Sequence, residues 1–233
     1  MQALQKTILI SLIILSMNLI LNAQSEKGEF VILQGGNKIG TEKYEIKQIG
    51  ENVIASGETI LSIPQLQLKQ KSYLKLNKDL QPIEFTVDAV VNGITQKSTF
   101  TFTEKLIKIQ NEIGGQKTTQ EIPNQENIVL IANNVFHHIN ILVRKYDFVK
   151  GKKQQFTAVP SVPVKVEYKG EDNFKFKEKT LKLKRLFMTI GTQFAQNVWV
   201  DEENRVIKMS IPLQNIEVYQ KGYEGISIIK KNQ

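Results

Sequence analysis

The chain has 233 residues, of which 41% are hydrophobic and 23% are charged, and it contains no cysteine. This composition excludes intrinsic disorder, collagen-like repeats, disulfide-stapled small proteins and thiolate metal sites, since each needs residues that the chain lacks. An excess of Lys and Arg over Asp and Glu, 31 against 23, gives a formal net charge of +8. The sequence is therefore that of a basic globular protein that is long enough to be stabilised by its own apolar core.

The first residues are typical of a secretory signal. Residues 7–21 form an uncharged, largely apolar run that follows the cation Lys6 and precedes the small residue Ala23. A spanning helix needs about 20 apolar residues, so we predict a cleaved signal peptide over residues 1–23, with an uncleaved anchor as the alternative. No cysteine follows the run, which excludes a lipid-modified N-terminus. We expect an exported protein of the bacterial periplasm, outer envelope or extracellular medium.

The next part of the chain has the pattern of antiparallel strands. Between residues 28 and 122, apolar and polar side chains mostly alternate, which predicts strands with one buried and one solvated face. Glycine pairs at 35–36 and 114–115 fall at hairpin spacing. Asn92 and Gly93 form the residue pair that a type I′ turn favours, because both central positions need positive φ.

The middle of the chain changes its period. Apolar residues spaced by three and four over residues 128–146 predict one amphipathic helix. Asn124 or Asn127 would serve as its N-cap, Arg144 and Lys145 place cations in its last turn, and Gly151 is a plausible stop.

The C-terminal part returns to alternation. We expect residues 174–184 to pair with residues 162–168 across a turn at 170–173, and a further hairpin around a turn at 201–204. No Ser/Gly-rich linker divides the chain. The prediction is a single domain over residues 24–233, mainly β in an α+β order. It would be a large curved antiparallel sheet or half-barrel of about ten or more strands with one central helix.

Two short stretches resemble known bacterial domains. The hairpin NVWVDEENRVIKM at 197–209 is similar to one found late in the half-barrels of bacterial lipoprotein carriers and related periplasmic lipid-binding domains. The run IANNVFHH at 131–138, with RKYD at 144–147, resembles uncharacterised secreted β-rich domains of unknown function, some of them fused to hydrolases. The first resemblance implies an apolar concave face that takes up a lipid, and the second suggests an accessory domain of a hydrolase.

Motifs for catalysis are scarce. The chain has no cysteine nucleophile and no Gly-X-Ser-X-Gly elbow, and its two histidines, His137 and His138, are adjacent. A serine triad through one histidine stays open, although nothing nominates the serine. Neighbouring helical residues point about 100° apart and asparagine is a poor transition-metal ligand, so we expect no metal, no cofactor and no enzyme activity.

One group of polar residues stands inside the apolar central run. The candidate ligand-binding residues are Asn133, Asn134, His137 and His138, together with Trp199. The alternative is a structural role, with one imidazole bonded to strand backbone and the other at the surface.

Lysines recur along the late strands and would form a cationic row on one sheet face: Lys175, Lys177, Lys179, Lys182 and Lys184. Nucleic acid is not expected, because aromatic side chains are not interleaved on that face. Anionic lipid headgroups and acidic polysaccharide suit the compartment better. The alternative is that lysine serves solubility and protects sheet edges.

The function predicted from these features is that of a non-catalytic exported protein. It would bind a lipid or other hydrophobic ligand in a groove between the curved sheet and the helix, with rim lysines meeting anionic groups. Two alternatives remain: an envelope scaffold or protein-interaction domain with a packed core, and an accessory domain of a secreted hydrolase. The oligomeric state stays open.

Overall fold

The computed structural model describes residues 25–151 and 153–229, so the predicted signal peptide over residues 1–23 lies outside the described residues. Within them the chain forms sixteen strands, one α-helix and one short 3-10 helix. The first eight strands are β1 Ser25–Gln34, β2 Asn37–Ile49, β3 Asn52–Ile63, β4 Leu66–Asn77, β5 Pro82–Val91, β6 Ile94–Phe102, β7 Leu106–Ile113 and β8 Gln116–Pro123. The remaining elements are β9 Ile128–Val129, helix α1 His138–Lys145, β10 Lys153–Ala158, β11 Val162–Phe176, β12 Lys179–Ile190, β13 Phe194–Val200, β14 Val206–Ile211, the 3-10 helix Pro212–Gln214, β15 Ile216–Gln220 and β16 Ser227–Ile228.

All sixteen strands belong to one curved, unclosed sheet. Its order is β8-β7-β6-β5-β4-β3-β2-β1-β15-β14-β13-β12-β11-β10-β9, and β16 adds to β11. Every pairing is antiparallel except that of β9 with β10. Strand β15 returns beside β1, so the late strands extend the sheet from the side of β1 that β2 leaves free. The predicted fold class, a mainly β curved antiparallel sheet with one helix, is confirmed.

The helix is shorter than predicted. It covers His138–Lys145 rather than residues 128–146, and its N-cap is His137, which makes no side-chain capping bond. Residues 128–129 form strand β9, and two short turns, at 133–134 and 136–137, lie between it and the helix. Asn127 and Asn134 have left-handed φ values of 53° and 58°, which a continuous helix does not accommodate. The apolar spacing arose because a strand, turns and a helix all bury side chains in one core.

The predicted turn at 170–173 is wrong. Strand β11 runs through it, with a shift of pairing register between Tyr168 and Glu171, and the chain reverses only at residues 177–178. Gly170 and Lys177 both have positive φ, so the glycine marks a bulge and the lysine marks the turn. Bulges and turns both favour residues that adopt positive φ, so the sequence pattern alone does not distinguish them, and the bulge at Gly170 was predicted as a turn.

The sheet buries apolar residues on both faces. The larger cluster lies on the inner face, which we define as the face that packs against residues 128–146. A second cluster contains Phe174, Trp199 and Tyr219. Trp199 lies between Val198 and Val200, which both belong to the inner cluster, so strand alternation places its side chain on the outer face. The C-terminal residues 223–226 cover this outer cluster. No helix among the described residues is both long and apolar enough to cross a membrane.

Candidate functional site

Glu42 and His137 form a fully buried pair on the inner face. Glu42 lies in β2 two residues before the buried Tyr44, and neither Glu42 nor His137 has any exposed surface. His137 Nδ1 lies 2.9 Å from Glu42 Oε1, and the His137 backbone N–H donates to Glu42 Oε2 at 2.9 Å. The carboxyl group therefore holds both the imidazole and the backbone of His137, the N-cap of the helix.

Two neighbouring strands hold the turn that precedes this histidine. Thr59 Oγ1 donates to the Asn134 carbonyl at 2.9 Å and lies 3.2 Å from Glu42 Oε1. Gln70 Nε2 donates to the Asn134 carbonyl at 2.8 Å and to the Asn133 carbonyl at 3.3 Å. Glu42 pairs with Thr59 and Thr59 pairs with Gln70 across adjacent strands. One row of side chains across β2, β3 and β4 thus anchors residues 133–137.

Gly57 gives the imidazole its space. A Cβ at Gly57 would lie 2.7 Å from His137 Cε1 and 2.8 Å from Nδ1, well inside normal contact distance. The ring of His137 lies almost parallel to that of Tyr44, with 6.0 Å between the ring centroids. The position of His137 is therefore defined by strand register as well as by hydrogen bonds.

His138 is buried in an aromatic environment. Its ring meets His137 edge to face at 4.8 Å and Phe85 at 5.3 Å. Burial, with a smaller contribution from the neighbouring His137, lowers the pKa of His138 well below its ordinary value. The ring is therefore neutral near pH 7. Neither of its nitrogens has a hydrogen-bond partner in the described part of the chain, and the same holds for His137 Nε2 and Asn140 Nδ2.

This buried cluster differs from the structural alternative considered above. Both histidines are buried, whereas one was expected at the surface, and the partner of His137 is a carboxyl group rather than strand backbone. Within residues 25–151 and 153–229, no group of three or more His, Asp or Glu side chains is placed to hold a metal ion. The hydrogen bonds of this cluster fix the position of residues 133–137, which lead into α1.

An open groove lies on the other side of the same segment. It has a volume of about 790 Å³ between residues 131–139 and the strands β10 to β15. Its lining is mainly apolar: Ile131, Ala132, Val135, Phe136, Ile139, Ala158, Val159, Val162, Ile190, Phe194, Ala195, Ile211 and Ile216. Amide and hydroxyl groups come from Asn133, Asn134, Thr192, Gln193, Gln196 and Gln214. No charged residue of the described chain lines it.

The structure separates the five predicted site residues. Asn133 and Asn134 line the open groove, and His137 and His138 lie on its closed side. Trp199 lies on the outer face, where its Nε1–H donates to Asp172 Oδ2 at 2.8 Å. Sequence reasoning missed the opposite wall of the groove, which β10 to β15 supply from later in the chain.

A second, charged depression lies at the opposite end of the strands. It has a volume of about 580 Å³ and its lining includes Glu26, Tyr44, Arg144 and Arg205. Arg144 pairs with Glu26, and Arg205 pairs with Asp201 at 2.8 Å. Burial and the nearby Glu26 carboxylate raise the pKa of Tyr44. Each guanidinium of this depression is therefore already neutralised by a carboxylate.

The predicted lysine row is mostly exposed, as alternation implied. Lys175, Lys177 and Lys179 are exposed, and Lys182 pairs with Glu171 at 2.6 Å. Lys184 is half-buried, donates to Asn204 Oδ1 at 2.8 Å and lies over the ring of Phe148. None of the five lines the open groove.

The fold resembles that of a solved structure. The crystal structure of a beta-barrel-like protein of domain of unknown function DUF1849 from Brucella abortus matches with a TM-score of 0.54 and 10% sequence identity. The match covers 88% of this chain and 97% of that chain. No protein-family model and no curated protein matches the sequence. At this identity the likeness shows the fold alone, a barrel-like and mainly β architecture that also occurs in a domain of unknown function.

Proposed function

We propose that this chain is an exported, non-catalytic protein that binds a hydrophobic ligand in the open groove. The observation that carries the proposal is a groove of about 790 Å³ whose walls are mainly aliphatic and aromatic. Ligand sites in proteins usually have volumes of about 300–1,000 Å³, with apolar walls and a few polar groups. The groove therefore has the size and surface of a site for an acyl chain or a compact apolar molecule.

The polar groups of the groove favour an uncharged ligand. Amides such as those of Gln193, Gln196 and Gln214 can donate to or accept from an ester, an alcohol or an amide. A carboxylate or phosphate bound there would lose its hydration without meeting a cation, which is costly. This narrows the hypothesis drawn from the sequence, in which lysines meet an anionic headgroup, because no lysine lines the groove.

Two further observations support the proposal. The carboxyl–imidazole pair of Glu42 and His137 is fully buried, so it offers no surface at which a substrate would react. The apolar run at residues 7–21 followed by Ala23 supports export. The scaffold alternative predicted a packed core without a cavity large enough for a ligand, and the open groove counts against it.

The proposal is tested by bound lipid and by dye binding. We expect organic extraction of the protein purified from its native host to release an uncharged lipid, identified by mass spectrometry. We also expect Nile red, an uncharged hydrophobic fluorophore, to bind. Ile190→Trp, which enlarges a side chain in the groove wall, should weaken Nile red binding about tenfold.

The matched control is Thr189→Trp, which places the same ring on the other face of β12. It should leave Nile red affinity unchanged. The proposed function fails if the protein carries no lipid and does not bind the dye, or if both variants bind the dye as the wild type does.

A further inference from the structure

The two ends of the sheet differ in charge. Antiparallel strands place successive turns at opposite ends, and in the described part of the chain seven turns between paired strands fall at the end where the groove opens, which we call the groove end. These turns are at residues 35–36, 64–65, 92–93, 114–115, 159–161, 191–193 and 212–215. None of their residues is Asp, Glu, Lys or Arg. Three of them, at 159–161, 191–193 and 212–215, contribute directly to the lining of the groove.

The opposite end is charged throughout. Its connections are at residues 50–51, 78–81, 103–105, 124–127, 177–178, 201–205 and 221–225, and each contains at least one Asp, Glu, Lys or Arg. The charged depression around Arg144 and Arg205 also lies at this end. Positive φ accounts for Gly and Asn in the turns at 35–36, 92–93 and 114–115, so the groove end is distinguished by the lack of charge in its other turns as well.

Large apolar side chains are exposed at the groove end. Leu213 is 71% exposed in the 3-10 helix, and Phe194 is 46% exposed at the groove wall. Ile94 and Ile113, which border the turns at 92–93 and 114–115, are 52% and 53% exposed. The nearest charges are two residues from these turns, at Lys38, Glu112, Lys117 and Glu217, and Glu112 pairs with Lys117. Phe194 thus lines the groove and Leu213 lies next to its lining residue Gln214, while Ile94 and Ile113 add exposed apolar surface at the same end of the sheet.

We propose that the groove end docks on the surface of a lipid bilayer. This inference rests on the proposed function, since docking would let an apolar ligand pass between the bilayer and the groove without entering water. An uncharged surface with protruding Leu, Phe and Ile residues inserts into the headgroup region at little cost, because no charge has to be desolvated. Arginine, which is enriched at protein interfaces, is absent from all seven turns.

The test measures retention on vesicles of pure phosphatidylcholine, which carry no net charge. The chain is used from Gln24 onward, the predicted exported form, because residues 7–21 would themselves partition into lipid and every described residue is kept. We expect the wild type to float with the vesicles equally well at low and high salt. Leu213→Glu should reduce its partition coefficient about tenfold or more.

Val149→Glu is the matched control. Val149 is 94% exposed but lies in the charged loop between α1 and β10, so its substitution should leave partition unchanged. Equal urea midpoints for the wild type and both variants would confirm that each folds. Loss of binding only in Leu213→Glu supports the proposal.

Four results would overturn it. If high salt abolishes retention on the vesicles, the lysines rather than apolar side chains make the contact. If Leu213→Glu is retained as well as the wild type, the contact lies outside the groove end. If the wild type does not float but self-associates, and Leu213→Glu abolishes this self-association, the groove end would bind a second copy of the chain.

Nile red binding separates this proposal from the proposed function. Dye binding without flotation removes bilayer docking alone, and flotation without dye binding removes the groove ligand alone.

Discussion

The segment that crosses the inner face is closed on one side and open on the other. Towards β2, β3 and β4, the side chains of Glu42, Thr59 and Gln70 hold residues 133–137 through hydrogen bonds. Towards β10 to β15, the same segment leaves a groove of about 790 Å³ lined mainly by apolar residues. Hydrogen bonds from polar side chains therefore position the segment on the closed side, and the groove lies on the side where no such bond reaches residues 133–137 in the described structure.

The burial of polar groups on the closed side has a physical consequence. A buried polar group without a partner is costly, so each hydrogen bond in the row across β2 to β4 selects one position of the segment. Apolar contacts are less directional and would permit sliding. The hydrogen bonds on the closed side therefore keep the groove open. A segment held only by apolar contacts would be free to collapse onto β12 and β13.

Removing the carboxyl group of Glu42 should have the largest effect. Glu42→Ala leaves the His137 backbone N–H and imidazole without their acceptor in a fully buried place. We expect the free energy of unfolding to fall by about 3–5 kcal/mol, measured by urea denaturation. Glu45→Ala is the control, because Glu45 lies three residues further along β2 and pairs only with surface groups. Its urea midpoint should stay near that of the wild type.

A small effect in Glu42→Ala would break the comparison. If its free energy of unfolding lies within about 1 kcal/mol of the wild-type value, apolar packing alone holds the segment. If the protein stays folded but loses Nile red binding, the closed side controls the open side, as argued above.

Much of the fold was predictable because its signals are local. Alternating side chains and the pair Asn92 and Gly93 predicted a hairpin, and β5 and β6 pair across this turn. The helix was predicted too long because spacings of three and four do not distinguish a helix from a short strand followed by turns. Asn134 adopts a left-handed φ and its carbonyl is held by Gln70, a residue 64 positions away. That interaction is not visible in a window of neighbouring residues.

The site was less predictable because its parts are far apart in sequence. His137 stood out, but its partner Glu42 lies 95 residues earlier. One signal was present: Glu42 occupies the inward register of β2, in line with the buried residues Tyr44 and Ile46. A charged residue in line with core residues indicates a buried partner, although not which one. The groove has no motif, because its walls come from turns and strand ends that meet only in the folded chain.

The second prediction concerns pH and the neutral His138. Its pKa is ordinary in the unfolded chain, about 6.5, and far lower in the folded chain because the ring is buried. Below about pH 6.5 the unfolded chain therefore binds a proton that the folded chain does not bind. The stability contributed by keeping His138 neutral is therefore fully present above about pH 6.5 and is lost as the pH falls. The free energy of unfolding should decrease by at most about 1.4 kcal/mol per pH unit for this one residue.

This prediction is checked by comparing His138→Phe with the wild type. Urea unfolding at pH 7, 6 and 5 should give a shallower decrease in the variant, since phenylalanine takes up no proton beside Phe85 and His137. Parallel decreases in the two proteins would show that His138 does not couple folding to pH.

The smallest expected effect compares two glutamines with similar burial. Gln70, 6% exposed, and Gln196, 8% exposed, both lie on the inner face. Gln70 Nε2 donates to two backbone carbonyls of the closed side, whereas Gln196 Nε2 donates to the weak acceptor Met188 Sδ at 3.7 Å in the wall of the groove. Gln70→Leu should lower the free energy of unfolding by about 1–2 kcal/mol, and Gln196→Leu should change it by less than about 0.5 kcal/mol.

Nile red affinity should distinguish the same two variants in the opposite sense. Gln196→Leu makes the groove wall more apolar and should strengthen binding about threefold, while Gln70→Leu acts on the other side and should leave the affinity of the folded protein unchanged. Equal losses of stability in both variants would mean that the two sides of the segment are held alike. A loss of dye binding in Gln196→Leu would show that its amide contacts the ligand, and would assign the groove to a ligand with a hydrogen-bonding group at that depth.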